Sequence, residues 1–374
     1  MGLSKYKFRE LLQESFRKNQ DLKFDISYVR GISNNKQITS TKANVDEAII
    51  RKFYIVNPGE FVYNPRTTRM GDKVGLGFNN TETPLLFSFN NIAFFIKETA
   101  KATILPEYLY MYFNRPEFDR YAMINGWGSA TELFSFEEMC DIEINLPPID
   151  IQQKYVAVYN AMLANQQSYE RGLEDLKLTC DAYIDKLKHK RTLVEIGDFI
   201  QQINNKNIDN QKYRFAGLSM DNYFIDSIAD DTELDFTKYK IVEPNEYGAV
   251  LMKVGRDARL TIARNTSNER YLISPAYYTF RITGIMPEYF MACVNRPEFE
   301  RRGWFSCDTS ARGSLSWGEF MKLKIPNATD EEQSIISELY KVQVIRIGIN
   351  EKLKTQIKDL CPILIKGSIE EASR

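Results

Sequence analysis

The sequence predicts an α+β fold: two tandem α/β domains, each followed by one long helix, with the two helices pairing as an antiparallel coiled coil. Three observations predict it: an internal repeat, β-rich runs ordered alike in both copies, and a heptad stripe along each copy's last segment. The 374 residues suit two domains better than one, because ordinary domains run to roughly 100–200 residues. The domains are placed at residues 1–150 and 191–330, and the helices at 151–190 and 331–374.

The repeat is explicit. Pro106-Glu-Tyr-Leu-Tyr-Met-Tyr-Phe-Asn-Arg-Pro-Glu-Phe118 returns as Pro287-Glu-Tyr-Phe-Met-Ala-Cys-Val-Asn-Arg-Pro-Glu-Phe299, identical at 8 of 13 positions at an offset of 181. The same offset carries Ser129-Ala130 to Ser310-Ala311, Ser135 to Ser316, Gln152 to Gln333 and Cys180 to Cys361. Upstream the offset is 186, pairing Gly31-Ile-Ser33 with Gly217-Leu-Ser219 and Ile55-Val-Asn-Pro-Gly-Glu60 with Ile241-Val-Glu-Pro-Asn-Glu246. A five-residue loop difference between positions 60 and 106 reconciles the two.

Each copy opens on a short helix or turn, Phe8 to Phe16 and Val194 to Gln202. Short β-rich runs follow (Lys52 to Val56, Phe87 to Phe89, Ala93 to Ile96, Tyr277 to Phe280), bounded by Gly, Asn and Pro. A compact helix then starts at Pro106 or Pro287, where a missing N–H costs nothing. The following Asn114-Arg-Pro-Glu-Phe118 reads as a packing joint ending that helix. A last strand, Ile142 to Leu146 or Leu323 to Ile325, runs into proline and then into the long helix. Tyr169, Leu173, Leu176, Cys180, Tyr183 and Leu187 step by 4, 3, 4, 3, 4; Leu353, Ile357, Leu360 and Leu364 step by 4, 3, 4. That is a heptad seam, with Gly172 and Pro362 as its blemishes.

Charge is balanced, with 49 Lys+Arg against 50 Asp+Glu, so a nucleic-acid partner has to be sought in patterning rather than in net charge. No apolar run reaches the ~18–20 residues of a membrane span, and the start has no secretory h-region. Five cysteines, none spaced C-x-x-C, favour a reducing cytoplasm. The single histidine, His189, has no ligand cluster around it, so neither a zinc site nor a His-based triad is expected. There is no P-loop, no G-x-G-x-x-G and no methyltransferase loop; Asn145-Leu-Pro-Pro148 has the wrong order for one. The chain is not expected to be a self-sufficient enzyme, and no cofactor of its own is expected.

Candidate DNA-reading side chains concentrate at one place in each copy. In the first these are Asn64, Arg66, Thr67, Thr68, Arg69 and Lys73, flanked by glycines. In the second they are Lys253, Arg256 and Arg259, followed by Arg264 and Asn265. Arginine can bond guanine O6 and N7 together, and asparagine can do the same with adenine N6 and N7. Glycine and threonine let the backbone approach phosphates. Arg312, in the polar loop Ser310-Ala-Arg312, is a candidate phosphate contact, and the amide-rich loops 34–37 and 204–207 add others. Taken singly, each basic loop reads equally well as a solvated hairpin; the duplication favours DNA.

In this order the segments resemble the specificity (S) subunit of type I restriction-modification systems. That family has two target-recognition domains in tandem, each followed by a long, similar helix. Its joint is a Leu-Pro-Pro run leading to Glu-Gln; here Leu146-Pro-Pro-Ile-Asp-Ile-Gln-Gln153 keeps the prolines and Gln152 but has Ile151 for the glutamate. The second copy has Glu332-Gln333 but only Pro326 of the proline pair. Val56-Asn-Pro-Gly-Glu-Phe-Val-Tyr-Asn-Pro-Arg66 is similar to the family's recognition-domain segment. The resemblance implies a non-catalytic subunit in which each domain reads half of a split, asymmetric DNA site and the helices set the gap. It also implies two modification (methyltransferase) subunits and restriction (helicase-nuclease) subunits as partners. Adenosylmethionine, ATP and Mg would be held by those partners, and no membrane is involved. Gln152, Gln333, Leu173, Leu176, Leu353 and Ile357 are the candidate partner-binding positions. Three alternatives stay open: a related type II specificity subunit, a coiled-coil scaffold that does not bind DNA, and a hidden nuclease or methyltransferase.

Overall fold

Short strands rich in Tyr, Phe, Ile and Val, each too brief to stand alone, are paired here into small sheets capped by helices. The structure is a computed structural model that describes residues 2–41, 45–66, 73–126, 133–227, 234–252, 260–307 and 313–374. It divides into two units, one of residues 1–168 with 350–374 and the other of residues 169–349.

In the first unit an antiparallel sheet runs in the order Leu12–Ser15, Ile92–Ile96, Phe61–Tyr63, Leu76–Phe78. Its inner face puts Phe61 and Phe94 ring to ring at 5.1 Å, with Phe113 edge-on at 5.9 Å from each. Phe113 comes from the helix Pro106–Phe113, which starts at the expected proline. The joint after it turns out to nucleate a second helix. Asn114 closes the first, Arg115 stands extended between the two, and Pro116 opens Pro116–Ile124 with its preset φ. Strand Ser4–Lys7 closes the unit by pairing with Glu143–Leu146.

The second unit repeats this plan, with the order Ile200–Ile203, Tyr278–Ile282, Tyr247–Val250, Thr261–Arg264. Leu193–Glu195 pairs with Lys324–Pro326 as Ser4–Lys7 does with Glu143–Leu146. Even a parallel contact recurs: Val29 bridges Leu86 in one unit, and Phe215 pairs Leu272 in the other, both at offset 186. The main sheet of each copy therefore has the same strand order, built from strands of three to five residues.

The long helices are Ile149–Lys190 and Asp330–Ala372, the second continuing through Pro362. Within the first unit they meet in antiparallel order. Lys154 Nζ donates to Glu371 Oε1 at 2.8 Å, and the buried Gln166 donates to the buried Asn350 at 3.1 Å. Within the second, Arg346 lies over the Tyr169 ring at 5.7 Å. Among the described residues no helix is long and apolar enough to cross a membrane.

The second long helix starts with a capping box: Thr329 N–H donates to Glu332 Oε2 at 3.0 Å, and Glu332 N–H donates to Thr329 Oγ1. Glu332 also accepts from Arg191 and Lys190, at 2.9 and 3.1 Å. The first copy has Ile151 at this position and lacks the box's carboxylate. The Arg191 hydrogen bond, then the Thr329 backbone, hold the Glu332 carboxyl down at about 2, against an ordinary 4.5. A depressed carboxyl stabilises above its unfolded pKa, and that stabilisation is lost as pH falls through the folded one. Glu332→Gln should therefore be less stable than the parent at neutral pH, with the gap closing between pH 4.5 and about 2. Urea unfolding across that range tests it, and a gap independent of pH would refute it.

Candidate nucleic-acid interface

The sheet strands Phe61–Tyr63 and Leu76–Phe78 form a hairpin whose open end carries the first basic loop. Its stem is built by backbone bonds. Asn64 N–H donates to Gly75 O at 2.8 Å, and Asn64 Oδ1 accepts from Arg66 N–H at 3.0 Å in an Asx turn. Arg66 then bridges Leu133, Phe134 N–H donates to Pro65 O at 2.8 Å, and the buried Tyr63 hydroxyl donates to Phe134 O at 3.0 Å. Residues 63–66 and 133–134 are thereby stitched side by side.

The second copy repeats the stitch. Met252 bridges Ser314, and Leu315 N–H donates to Leu251 O at 2.8 Å, the same partners displaced by the repeat offsets. The two polar loops of each copy, which the sequence presents separately, thus share one root. The available signal was that Ser-Ala recurs at a fixed distance from the repeat's helix. Thr67, Thr68, Arg69, Lys253, Arg256, Arg259 and Arg312 lie outside the described residues.

Arg66 is half-buried at the stem and is paired with no carboxylate among the described residues. Arg264 is placed differently: its terminal nitrogens donate to Glu288 Oε1 and Asn245 Oδ1, both at 2.7 Å. Asn265 is fully buried, its amide donating to Val242 O and Glu269 O while its oxygen accepts from Ser267. Asn79 makes the matching bonds to Val56, Thr83 and Thr81, so this asparagine builds a turn in both copies.

The candidate loop 34–37 holds a buried ion pair that sequence reasoning did not find. Lys36, at φ +58°, is 1% exposed, and its ammonium donates to both oxygens of Asp119 at 2.5 and 2.6 Å. Asp119 Oδ1 also accepts from Val74 N–H at 3.0 Å, pinning the returning arm of the first basic loop. Burial pushes the Lys36 ammonium below its ordinary range even with Asp119 opposing the shift.

The partner-binding candidates divide in two. Gln152 is buried, accepting from Leu105 N–H and donating to Thr103 O and Pro147 O. Gln333 likewise accepts from Met286 N–H and donates to Ala328 O. Each glutamine ties the start of a long helix to the loop before the compact helix. Ile357 is buried in the first unit's core, while Leu173, Leu176 and Leu353 are half-buried. The helix surface also exposes Val342, Val344, Ile345, Ile347 and Ile349, each between 40% and 62%.

Neither a protein-family model nor a curated protein sequence matches the chain. Among solved structures the fold is that of a type I restriction-modification S subunit. One structure it is similar to is the type I restriction-modification S subunit from M. genitalium, with TM-score 0.52 at 10% identity, covering 98% of this chain and 96% of that one. The HsdS subunit from Thermoanaerobacter tengcongensis matches at TM-score 0.35 and 14% identity over 98% and 96%. A chain from a type I R-M assembly described for its complex assembly and conformational transition matches at 0.43 and 12% over 100% and 98%.

Proposed function

We propose that this chain is the non-catalytic DNA sequence-specificity subunit of a type I restriction-modification complex. The observation that carries the reading is the duplicated stitch: two basic loops, each rooted beside a second polar loop by the same bridge. Residues 1–150 and 191–330 are read as the target-recognition domains of a bipartite, asymmetric site, and 151–190 and 331–374 as the helices that set the gap. Asn64, Arg66, Thr67, Thr68, Arg69 and Lys73 serve one half-site; Lys253, Arg256, Arg259 and Arg312 serve the other. Arg264 and Asn265 act on the second through the strand end and turn they hold.

The antiparallel order of the Lys154–Glu371 and Gln166–Asn350 contacts supports coiled-coil pairing, since a buried polar pair fixes register in a heptad seam. The exposed apolar residues 342–349 support a protein partner on the helices, where a soluble surface otherwise avoids such patches. Two modification subunits and the restriction subunits would dock there and bring adenosylmethionine, ATP and Mg.

The pure chain, mixed with labelled adenosylmethionine and DNA, should transfer no methyl group, and adding modification subunits should start site-specific transfer. Methylation by the chain alone would overturn the reading. In the assembled complex Arg66→Ala should relax one half-site only: a bidentate base contact supplies ~1–3 kcal/mol of discrimination. Sequencing methylated sites tests this; relaxation confined to the half read by residues 191–330 would reverse the domain assignment.

A further inference from the structure

We infer that the C-terminal helix carries a DNA-backbone contact: Lys73 and Lys358, set beside the buried Lys36–Asp119 pair, form an oxyanion site for a phosphodiester of the bound duplex. The inference rests on the specificity-subunit reading and adds a long helix to the DNA-contacting surface.

Lys36 is paired with Asp119, and Lys358, from a separate segment, lies within electrostatic reach of Asp119, Lys36 and Lys73. Both Asp119 oxygens are committed to Lys36, and one also takes Val74 N–H, which fixes the backbone next to Lys73. Ile357, the neighbour of Lys358, is buried in the same apolar cluster as Val74 and Phe118. Lys36 Nζ is itself 6.0 Å from the Phe118 ring centre. The Lys358 side chain lies close enough to that of Lys73 for the two ammonium groups to repel. Among the described residues Asp119 is the carboxylate that acts on Lys358, and neither Lys73 nor Lys358 has an ion pair of its own. Burial first, and the Lys73 ammonium next, push Lys358 below its ordinary range. Two like charges held together repel, and an oxyanion shared between them removes that repulsion while accepting both as donors. The group stands at the foot of the loop that begins at Arg66, where a duplex read by that loop would present its backbone.

The second copy lacks the arrangement. Asn222 replaces Lys36 in the same left-handed turn, at φ +65°, and its neutral oxygen accepts from Ile262 N–H at 2.8 Å. Lys177, the counterpart of Lys358 at offset 181, is exposed.

The test uses the full chain, fluorescently labelled duplexes of mixed sequence, and affinity measured between about 50 and 200 mM salt. Lys358→Gln should lower the slope of log affinity against log salt by about 0.9, the loss of one phosphate contact, and equally for every duplex. Lys358→Arg should keep the slope, and Lys177→Gln should leave it unchanged. Melting separates a binding role from a structural one, because Lys358→Gln removes a repelled charge and should melt no lower than the parent. A parent chain without salt-dependent DNA affinity would overturn the specificity-subunit reading and this site together. A salt-dependent parent whose slope survives Lys358→Gln would overturn the site alone, as would an equal loss from Lys177→Gln or a lowered melting temperature. Stabilisation of the parent, but not of Lys358→Gln, by inorganic phosphate at matched ionic strength would support the oxyanion chemistry. Coupled with an unchanged DNA slope, it would make the site one for free anions and overturn the DNA contact.

Discussion

Asp119→Ala is expected to destabilise the first unit by about 3–5 kcal/mol, the usual result of removing one partner from a buried ion pair. The size follows from what is left behind. The Lys36 ammonium, 1% exposed, would lose the carboxylate that both its short hydrogen bonds reach, and Val74 N–H would lose its acceptor. Leaving a buried donor unpaired costs about 1–3 kcal/mol by itself. The pair is thus a different object from the exposed Lys101–Glu98 or Lys341–Glu338 contacts, whose kind contributes about 0–1 kcal/mol. Lys36→Met with Asp119→Asn removes both charges and keeps an acceptor for Val74, so it should recover most of the loss. Hydrogen exchange resolved by peptide separates the units: protection should fall in strand Phe61–Tyr63 and stay unchanged in Tyr247–Val250. A loss below about 1 kcal/mol would place Lys36 in solvent and remove the anchor proposed for the first reading loop.

What sequence reasoning reached and what it missed separate by distance along the chain. The helix starting at Pro106, the long helices and the duplicated strand order rest on local chemistry, namely proline at a first turn, unbroken helical runs and short apolar runs between turn residues. The burial of Lys36 was out of reach because Asn34-Asn-Lys-Gln37 reads as a surface loop that could contact DNA, and its partner is 83 residues away. The stitch between Pro65-Arg66 and Leu133-Phe134 is equally remote, and nothing near either segment reports it. Asn265 is instructive for a different reason. As an amide beside basic residues it suits adenine, yet its counterpart Asn79 makes the same turn, so the repeat itself identified the structural use. Comparing copies for what is shared finds scaffold; comparing them for what differs, as at Lys36 and Asn222, finds candidates for function.

Lengthening both long helices together is expected to move the two half-sites apart without altering what each half reads. Four residues inserted after Gly172, with four more before Arg346, make a stutter that a heptad seam absorbs by local unwinding. These positions face each other, Arg346 lying 3.6 Å from where a side chain on Gly172 would begin, so matched insertions preserve the pairing. They also leave untouched the Gln166–Asn350 contact and the glutamines that root each helix. The added length is about 6 Å at 1.5 Å per residue, against about 3.4 Å of duplex per base pair. The unread gap should therefore grow by one or two base pairs, one being favoured because twist must be accommodated along with rise. Sequencing methylated adenines genome-wide with the altered subunit reads gap and half-sites at once. A single-helix insertion serves as the control, since it breaks the pairing and should abolish methylation rather than shift it. A folded, active complex that kept the original gap would show that the helices only hold partners and do not measure DNA.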